Sequence, residues 1–293
     1  MALSEETGVP VIEDCSHAHG ASYKGIPCGS IGQVGAWSLQ GSKPVSGGEG
    51  GMLATNDVAV FERACLLGQV NRPPGITDET AALRYAHLPP MGLGVKFRAH
   101  PLAIGIASVQ LKKLDELNAG RRAYIRAISD GLQEIPGVSP IETSDGAESA
   151  GFFGFPIHYH AEEMPGLPAP IFAEALRQEG VLANNNPYPL LVGDGVPVFS
   201  GGLPTNSNPY PLLHTLPLFM QGLDMYMEGR GVLCTADMGG EFETYKASDF
   251  PASEKACSQL IFLPLLTEPV AGAVSGILDA IRKVSLHSHL INN

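Results

Sequence analysis

Positive charge is scarce in this 293-residue chain: 18 Lys and Arg stand against 30 Asp and Glu, for a formal net charge of -12. No basic cluster forms a stripe that could follow a phosphate backbone, so nucleic acid is not an expected partner. Long apolar runs are also missing: no stretch of about 18 uncharged apolar residues occurs, which argues against a membrane-spanning helix. Cysteine is sparse and without pattern, since Cys15, Cys28, Cys65, Cys234 and Cys257 are odd in number and contain no Cys-x-x-Cys pair. That usage argues against a disulfide framework or a zinc ribbon and suits free thiols in a reducing compartment. Residues 1–6 have neither the basic region nor the apolar core of a signal peptide, and the expected location is the cytoplasm. Apolar residues are plentiful at 44%, enough for one large or two ordinary domains with a substantial core.

One of the few cations stands in an unusual place. Lys43 follows Ala36-Trp37-Ser38-Leu39-Gln40-Gly41-Ser42 and precedes Pro44-Val45-Ser46-Gly47-Gly48-Glu49-Gly50-Gly51. A P-loop needs Gly-Lys-Ser/Thr at the close of a glycine-bounded loop before a helix, and the order Gly41-Ser42-Lys43-Pro44 does not supply it. A dinucleotide fingerprint needs glycines at a strand-to-helix turn, whereas Gly47 to Gly51 run into Met52-Leu53-Ala54-Thr55, which reads as another strand. What survives is a lysine on a loop between two strands, where glycine backbone can lie against a flat ligand, as a Schiff-base lysine requires. A solvated loop lysine is the ordinary alternative, and the local sequence alone leaves both open.

The apolar run over residues 9–12 ends in Glu13-Asp14 and predicts a buried parallel strand with acids at its carboxyl end, where ligands sit in open α/β sheets. Residues 32–39 and 51–55 read as two more strands, and residues 57–68 as a helix capped by Asn56 or Asp57. Residues 71–94, with Pro73-Pro74 and Pro89-Pro90, read as a long loop. The spacing of Leu102, Ile106, Val109, Leu111, Leu114 and Leu117, then Tyr124, Ile125, Ile128 and Leu132, predicts one long helix or two end to end. Pro136 opens a second α/β half, with strands over 152–159 and 261–266 and helices over 168–179, 253–260 and 270–284. Asn186-Pro187-Tyr188-Pro189-Leu190-Leu191 recurs as Asn208-Pro209-Tyr210-Pro211-Leu212-Leu213, too short a repeat for a solenoid and read as irregular loop. A doubly buried parallel strand needs neighbours, and too few precede the long helix. Either another chain completes the sheet or the polypeptide begins partway through a larger domain.

Val11-Ile12-Glu13-Asp14-Cys15-Ser16-His17-Ala18-His19-Gly20-Ala21, with Gly29-Ser30-Ile31-Gly32, Trp37 to Lys43 and Gly48-Glu49-Gly50-Gly51, resembles the DegT/DnrJ/EryC1/StrS family. Gly94-Val95-Lys96-Phe97-Arg98-Ala99-His100-Pro101, Glu254-Lys255-Ala256-Cys257 and Leu263-Pro264-Leu265 are similar to that family as well. These are pyridoxal 5'-phosphate-dependent sugar and cyclitol aminotransferases of fold type I. The resemblance implies an α/β fold: a partial large domain with a mainly parallel sheet over residues 1–100, an interdomain helix over 101–135 and a smaller C-terminal α/β domain over 136–293.

The resemblance further implies that Lys43 binds the cofactor covalently and later shuttles a proton to the substrate carbon. Asp14 is implied to pair with the pyridine nitrogen and Ser38 to hydrogen-bond the phosphate. His17 stands where the family uses glutamine or histidine near the ring oxygen. Lys96 stands where many members place an asparagine that reaches the phosphate of the neighbouring subunit. Each has an ordinary alternative: a helix-capping acid for Asp14, a strand-end hydroxyl for Ser38, a loop histidine for His17 and a surface lysine for Lys96. Cys15, His17 and His19 alternate as metal ligands could, but no further ligand set has matching spacing, and no metal is expected. Family members carry a longer segment before the first strand, with a helix start that holds the phosphate and an aromatic residue that stacks on the ring; nothing in this chain matches it. The implied activity moves an amino group from glutamate or glutamine to a keto-sugar or keto-cyclitol. The chain would act as a homodimer or with a polypeptide supplying the missing segment. The alternative is a truncated member without independent catalysis, serving as a partner subunit or inactive.

Overall fold

The computed structural model describes residues 1–68, 96–149, 154–183, 212, 214 and 245–291, which contain both strands and helices. Two units are present: Met1–Ile125 with Glu142–Phe153 and Leu266–Pro269, and Arg126–Ile141 with Gly154–Leu265 and Val270–Asn293.

In the first unit, helix α1 (Ala2–Thr7) leads into β1 (Ile12–Asp14), which pairs parallel with β4 (Val34–Ser38), Ile12 opposite Val34 and Asp14 opposite Ala36. β5 (Gly51–Thr55) pairs antiparallel on the other side of β4. The order is therefore β1-β4-β5, with one parallel and one antiparallel pairing. The apolar run predicts a strand over residues 9–12, but the ladder starts only at Ile12. Pro10 has no amide to donate, and the amide of Val11 is taken by the Gln33 side chain at 2.6 Å. Nor is β1 buried on both faces, since Ile12 is 68% exposed.

β2 (Ser22–Tyr23) and β3 (Ile26–Pro27) form a tight hairpin through Lys24 and Gly25, both at positive φ (51° and 77°). β7 (Ala147–Glu148) pairs with β2 to complete this small sheet. Helix α2 (Val58–Leu66) is capped by Asp57, whose carboxylate accepts from the amides of Ala59 and Val60 at 2.8 and 3.1 Å. The helical pattern over 101–132 resolves into two helices, α3 (Pro101–Leu111) and α4 (Leu114–Leu132). Leu39, Val45, Ala107 and Leu114 form a buried cluster that joins the loop after β4 to both. The division between the units falls within α4, after Ile125.

The second unit is built on the antiparallel sheet β6-β8-β9, from β6 (Val138–Pro140), β8 (Phe155–Tyr159) and β9 (Leu260–Leu263). Phe155, Ile157 and Tyr159 alternate inward along β8, the period-2 burial of a sheet with one face on the core. Among the described residues the unit also contains the end of α4 after Ile125 and helices α5 (Ala169–Gln178), α6 (Pro251–Ser258), α7 (Ala273–Leu286) and α8 (Ser288–Ile291). Ile128 and Leu132 of α4, Phe172, Ala173 and Leu176 of α5, and Ile277, Ile281 and Val284 of α7 are buried helical residues of its core. The loop read over 71–94 and the hexapeptide repeat, apart from Leu212, lie outside the described residues.

Candidate active site

Parallel pairing brings the carboxyl ends of β1 and β4 to one edge of the sheet, with Asp14 ending β1 and Ser38 ending β4. Glu13 and Asp14 project to opposite faces, as successive strand residues must. Asp14 lies on the exposed side, where Oδ1 accepts from the Ser16 amide at 3.0 Å. Hydrogen bonds from the Ser16 side chain and backbone hold its carboxyl below the ordinary carboxylate value, with smaller help from His17 and Lys43. Asp14 is therefore an anion at neutral pH.

Glu13 serves the other face. Its carboxylate accepts from the amides of Gly29, Ile31 and Gly32 at 2.7, 2.8 and 2.6 Å. Burial by itself would raise its pKa, and the three amides outweigh burial and bring it below its ordinary value. This clamp fixes the loop that returns the chain to β4.

Beyond Ser38 the chain forms a loop closed at its neck. The Leu39 amide donates to the Gly50 carbonyl at 2.9 Å, the Gly47 amide donates to the Leu39 carbonyl at 2.8 Å, and Gln40 bridges to Gly48. Inside the loop the Lys43 amide donates to the Gln40 carbonyl at 2.9 Å, and the Gln40 side chain accepts from the amide and hydroxyl of Ser42 at 2.9 and 2.5 Å. Val45, 3% exposed, pins the far side into the buried cluster. Lys43 is thus held half-buried on a loop anchored both before and after it. Burial lowers its pKa, and the neighbouring Asp14 carboxylate partly offsets that effect.

His17 lies on the turn after β1. Burial depresses its pKa, Lys43 adds to the effect and Asp14 opposes it. Asp14, His17 and Lys43 therefore act on one another electrostatically, and Ser38 joins them at the shared strand edge. The Ser38 hydroxyl accepts from the Gln40 amide at 3.3 Å, which leaves its own proton to donate. An anionic carboxylate, an amine of lowered pKa and a donating hydroxyl form a set that suits, in turn, a protonated ring nitrogen, an aldehyde carbon and a phosphate oxygen. Lys96 is not brought to this group: it is exposed, and no hydrogen bond or ion pair involves it among the described residues. Among the described residues no group of three or more His, Cys, Asp and Glu side chains is placed to hold a metal ion.

Two members of the site's surroundings escape a reading of residue types. Glu13 carries no more signal than any acid at a strand end, although the small residues Gly29 to Gly32 mark a loop whose amides are open to an acceptor. His19 reads as one of two alternating histidines, whereas only His19 is buried, with Nε2 2.8 Å from the Ser38 carbonyl.

The sequence pattern of the DegT/DnrJ/EryC1/StrS aminotransferase family matches residues 1–189, which include Asp14, His17, Ser38, Lys43 and Lys96. The L-glutamine:scyllo-inosose aminotransferase of Streptomyces griseus is 33% identical over 188 residues, covering 61% of this chain and 42% of that protein. The L-glutamine:2-deoxy-scyllo-inosose aminotransferase of Streptoalloteichus tenebrarius is 33% identical over 180 residues, with the same two coverages of 61% and 42%. The chain thus spans less than half the length of these curated relatives. In fold it is similar to the aminotransferase from Psychrobacter cryohalolentis, with a TM-score of 0.67 at 21% identity, covering 99% of this chain and 65% of that one. The architecture is the α/β fold of the fold-type I class that the resemblance implies. By its sequence pattern and its fold, the chain belongs to the DegT/DnrJ/EryC1/StrS aminotransferase family.

Proposed function

We propose that this chain is a pyridoxal phosphate-dependent aminotransferase that moves an amino group from glutamine or glutamate to a keto-cyclitol or keto-sugar. The observation that carries the reading is the placement of Asp14 at the end of a parallel strand and of Lys43 on the closed loop after the neighbouring strand. The names of the relatives, which pair L-glutamine with inososes, favour a cyclitol ketone as acceptor.

When bound, the cofactor supplies a protonated ring that withdraws electrons from the bond broken at the substrate carbon. Asp14 would hold the proton on the ring nitrogen. Lys43 Nζ would hold the cofactor through its aldehyde carbon, the carbonyl oxygen leaving as water, and as a free amine it would take the proton from the α-carbon of the amino donor and deliver one to the acceptor carbon. Its lowered pKa serves this role, because only the neutral amine accepts a proton. The Ser38 hydroxyl would donate to a phosphate oxygen, and His17 would stand beside the ring. The donor leaves as its 2-oxo acid and the ketone becomes an amine, so no external oxidant or reductant is needed.

Lys96 would serve the phosphate of a neighbouring subunit, within a homodimer or a complex with a second polypeptide. The character of α3 supports an assembly: Leu102, Ile106, Val109 and Leu111 are all exposed, an apolar surface larger than a lone helix normally shows to water. The scattered free cysteines support a cytoplasmic setting, and no helix among the described residues is long and apolar enough to cross a membrane.

Addition of pyridoxal phosphate to the purified chain tests the reading. The expected result is a visible absorption band that Lys43→Ala abolishes and that L-glutamine bleaches. A chain that stays colourless would overturn it.

A further inference from the structure

In the parallel ladder, the Cys15 amide donates to the Ala36 carbonyl at 2.8 Å, the last backbone bond from the β1 side to β4. The next β4 carbonyl facing that side is two residues on, at Ser38. Among the described residues no strand amide meets it, because the chain turns away there, with the Ala18 amide donating to the Cys15 carbonyl at 2.9 Å. The His19 side chain fills the place instead, with Nε2 2.8 Å from the Ser38 carbonyl oxygen.

The chemistry of this contact places a proton on Nε2, since a carbonyl only accepts. In the neutral ring Nδ1 is then the bare nitrogen. His19 is 4% exposed, and Nδ1 is buried without a hydrogen-bond partner among the described residues. A second ring proton would be one more buried donor without an acceptor. Burial holds the pKa down; the bond to Ser38 works against that, and the charges of Lys43 and His17 reinforce it. Nε2 faces the Ser38 carbonyl, and among the described residues no group of three or more His, Cys, Asp and Glu side chains that could hold a metal includes His19.

The residue is also held from behind. Its carbonyl accepts from Asn118 Nδ2 at 2.9 Å, Asn118 Oδ1 accepts from Arg121 Nη1 at 3.0 Å, and Arg121 Nε donates to Thr267 Oγ1 at 3.1 Å. Asn118 is 1% exposed, so this string of polar groups is sheltered where it meets His19. All of these residues belong to the first unit.

We infer that His19 is a positioning residue for the anion-binding end of the site: its neutral, Nε2-protonated ring replaces the strand amide missing opposite Ser38 and so fixes both the Ser38 hydroxyl and the entry to the Lys43 loop. The inference rests on reading the site as a pyridoxal phosphate cradle, with Ser38 at the phosphate. It separates His19 from His17, which lies on the exposed side of the same turn.

The test compares His19→Gln, which keeps an N–H donor at about the reach of Nε2, with His19→Leu, which keeps bulk and removes the donor. Full-length chains are titrated with pyridoxal phosphate and, separately, with pyridoxal, which lacks the phosphate. His19→Leu is expected to weaken pyridoxal phosphate roughly tenfold, about the effect of one lost hydrogen bond, while pyridoxal changes less than about threefold. His19→Gln should recover most of the loss. In a Ser38→Ala background, where the phosphate donor is already gone, His19→Leu should add little, the non-additivity of two residues acting as one. In the wild-type chain, nitrogen NMR of His19 should show a neutral ring protonated on Nε2; an imidazolium or the Nδ1-H form would overturn the inference even if His19→Leu does not fold. A wild-type chain that forms no visible band with either aldehyde overturns the reading of the site itself. With that band present, equal weakening of both aldehydes, or of neither, overturns the role given to His19.

Discussion

A Cβ placed on Gly47 would stand 2.7 Å from the carbonyl oxygen of Ala103, closer than real Cβ atoms approach backbone. Gly47 therefore lies flat against α3 while its amide closes the neck of the Lys43 loop on the Leu39 carbonyl. Gly47→Ala must push loop and helix apart, an overpacking that costs about 1–3 kcal/mol. The expected outcome is a lower thermal midpoint together with a weaker visible band at subsaturating pyridoxal phosphate. Unchanged melting with an unchanged band would show that contact with α3 does not set the position of Lys43.

The Asp14–Lys43 relationship gives a prediction with a definite sign. Burial lowers the Lys43 pKa from 10.5, and the Asp14 carboxylate raises it part of the way back. Asp14→Asn removes the raising influence, so the amine should titrate lower still and be neutral in a larger fraction of molecules at any fixed pH. The pH dependence of Lys43 modification by an amine reagent, followed by mass spectrometry in the cofactor-free chain, measures this. The wild-type midpoint is expected below 10.5 and the Asp14→Asn midpoint below that of wild type. An upward move would mean that the two charges do not face one another. Turnover should nonetheless fall by about 10²-fold or more in Asp14→Asn, since the more reactive lysine no longer works beside a carboxylate that can hold the ring proton.

Glu13 should reveal itself in stability against pH. Its folded pKa is depressed, so the carboxylate stabilises the fold above its ordinary value of 4.5, and the contribution disappears as pH falls through the folded value. Glu13→Gln keeps the shape but removes the charge that accepts three amides, at an expected cost of about 1.5–3 kcal/mol near neutral pH. Denaturant unfolding at pH 7 and at pH 3 tests the sign: the gap between wild type and Glu13→Gln should narrow at the lower pH. A gap that is constant or wider in acid would mean that the neutral carboxyl serves the amides equally well.

Which parts of this arrangement can be read from the residues depends on how local their causes are. β5, the Asp57 cap and the strand-loop-strand setting of Lys43 follow from neighbouring residues, through alternation, an acid before an apolar run and a glycine cluster. The start of β1 does not, because the Gln33 side chain, 22 residues away, takes the Val11 amide and shortens the strand. β2, β3 and β7 are two residues each, too short to show any period. The role of His19 is further from view, since it depends on a carbonyl 19 residues later and on an asparagine 99 residues later. A histidine beside another histidine suggests ligation; only the geometry of the β4 edge shows that one of them stands in for a backbone amide.

The second unit provides a control for these claims. The Tyr159 hydroxyl donates to the Leu167 carbonyl, and its ring packs on Phe172 with centroids 5.0 Å apart. Burial pushes the phenol up to about 12, so the hydroxyl remains a donor throughout the range in which the chain can be assayed. Tyr159→Phe keeps the ring and deletes the donor, leaving the Leu167 carbonyl without its partner in a buried setting, at an expected cost of about 1–3 kcal/mol. Asp14, His17, Ser38 and Lys43 all belong to the first unit. Tyr159→Phe should therefore lower the unfolding midpoint yet leave the pyridoxal phosphate titration unchanged at temperatures where the chain stays folded. The contrast with Gly47→Ala, expected to lower both, separates damage to the fold from damage to the site. Loss of cofactor affinity in a folded Tyr159→Phe chain would overturn the assignment of the cofactor contacts to the first unit.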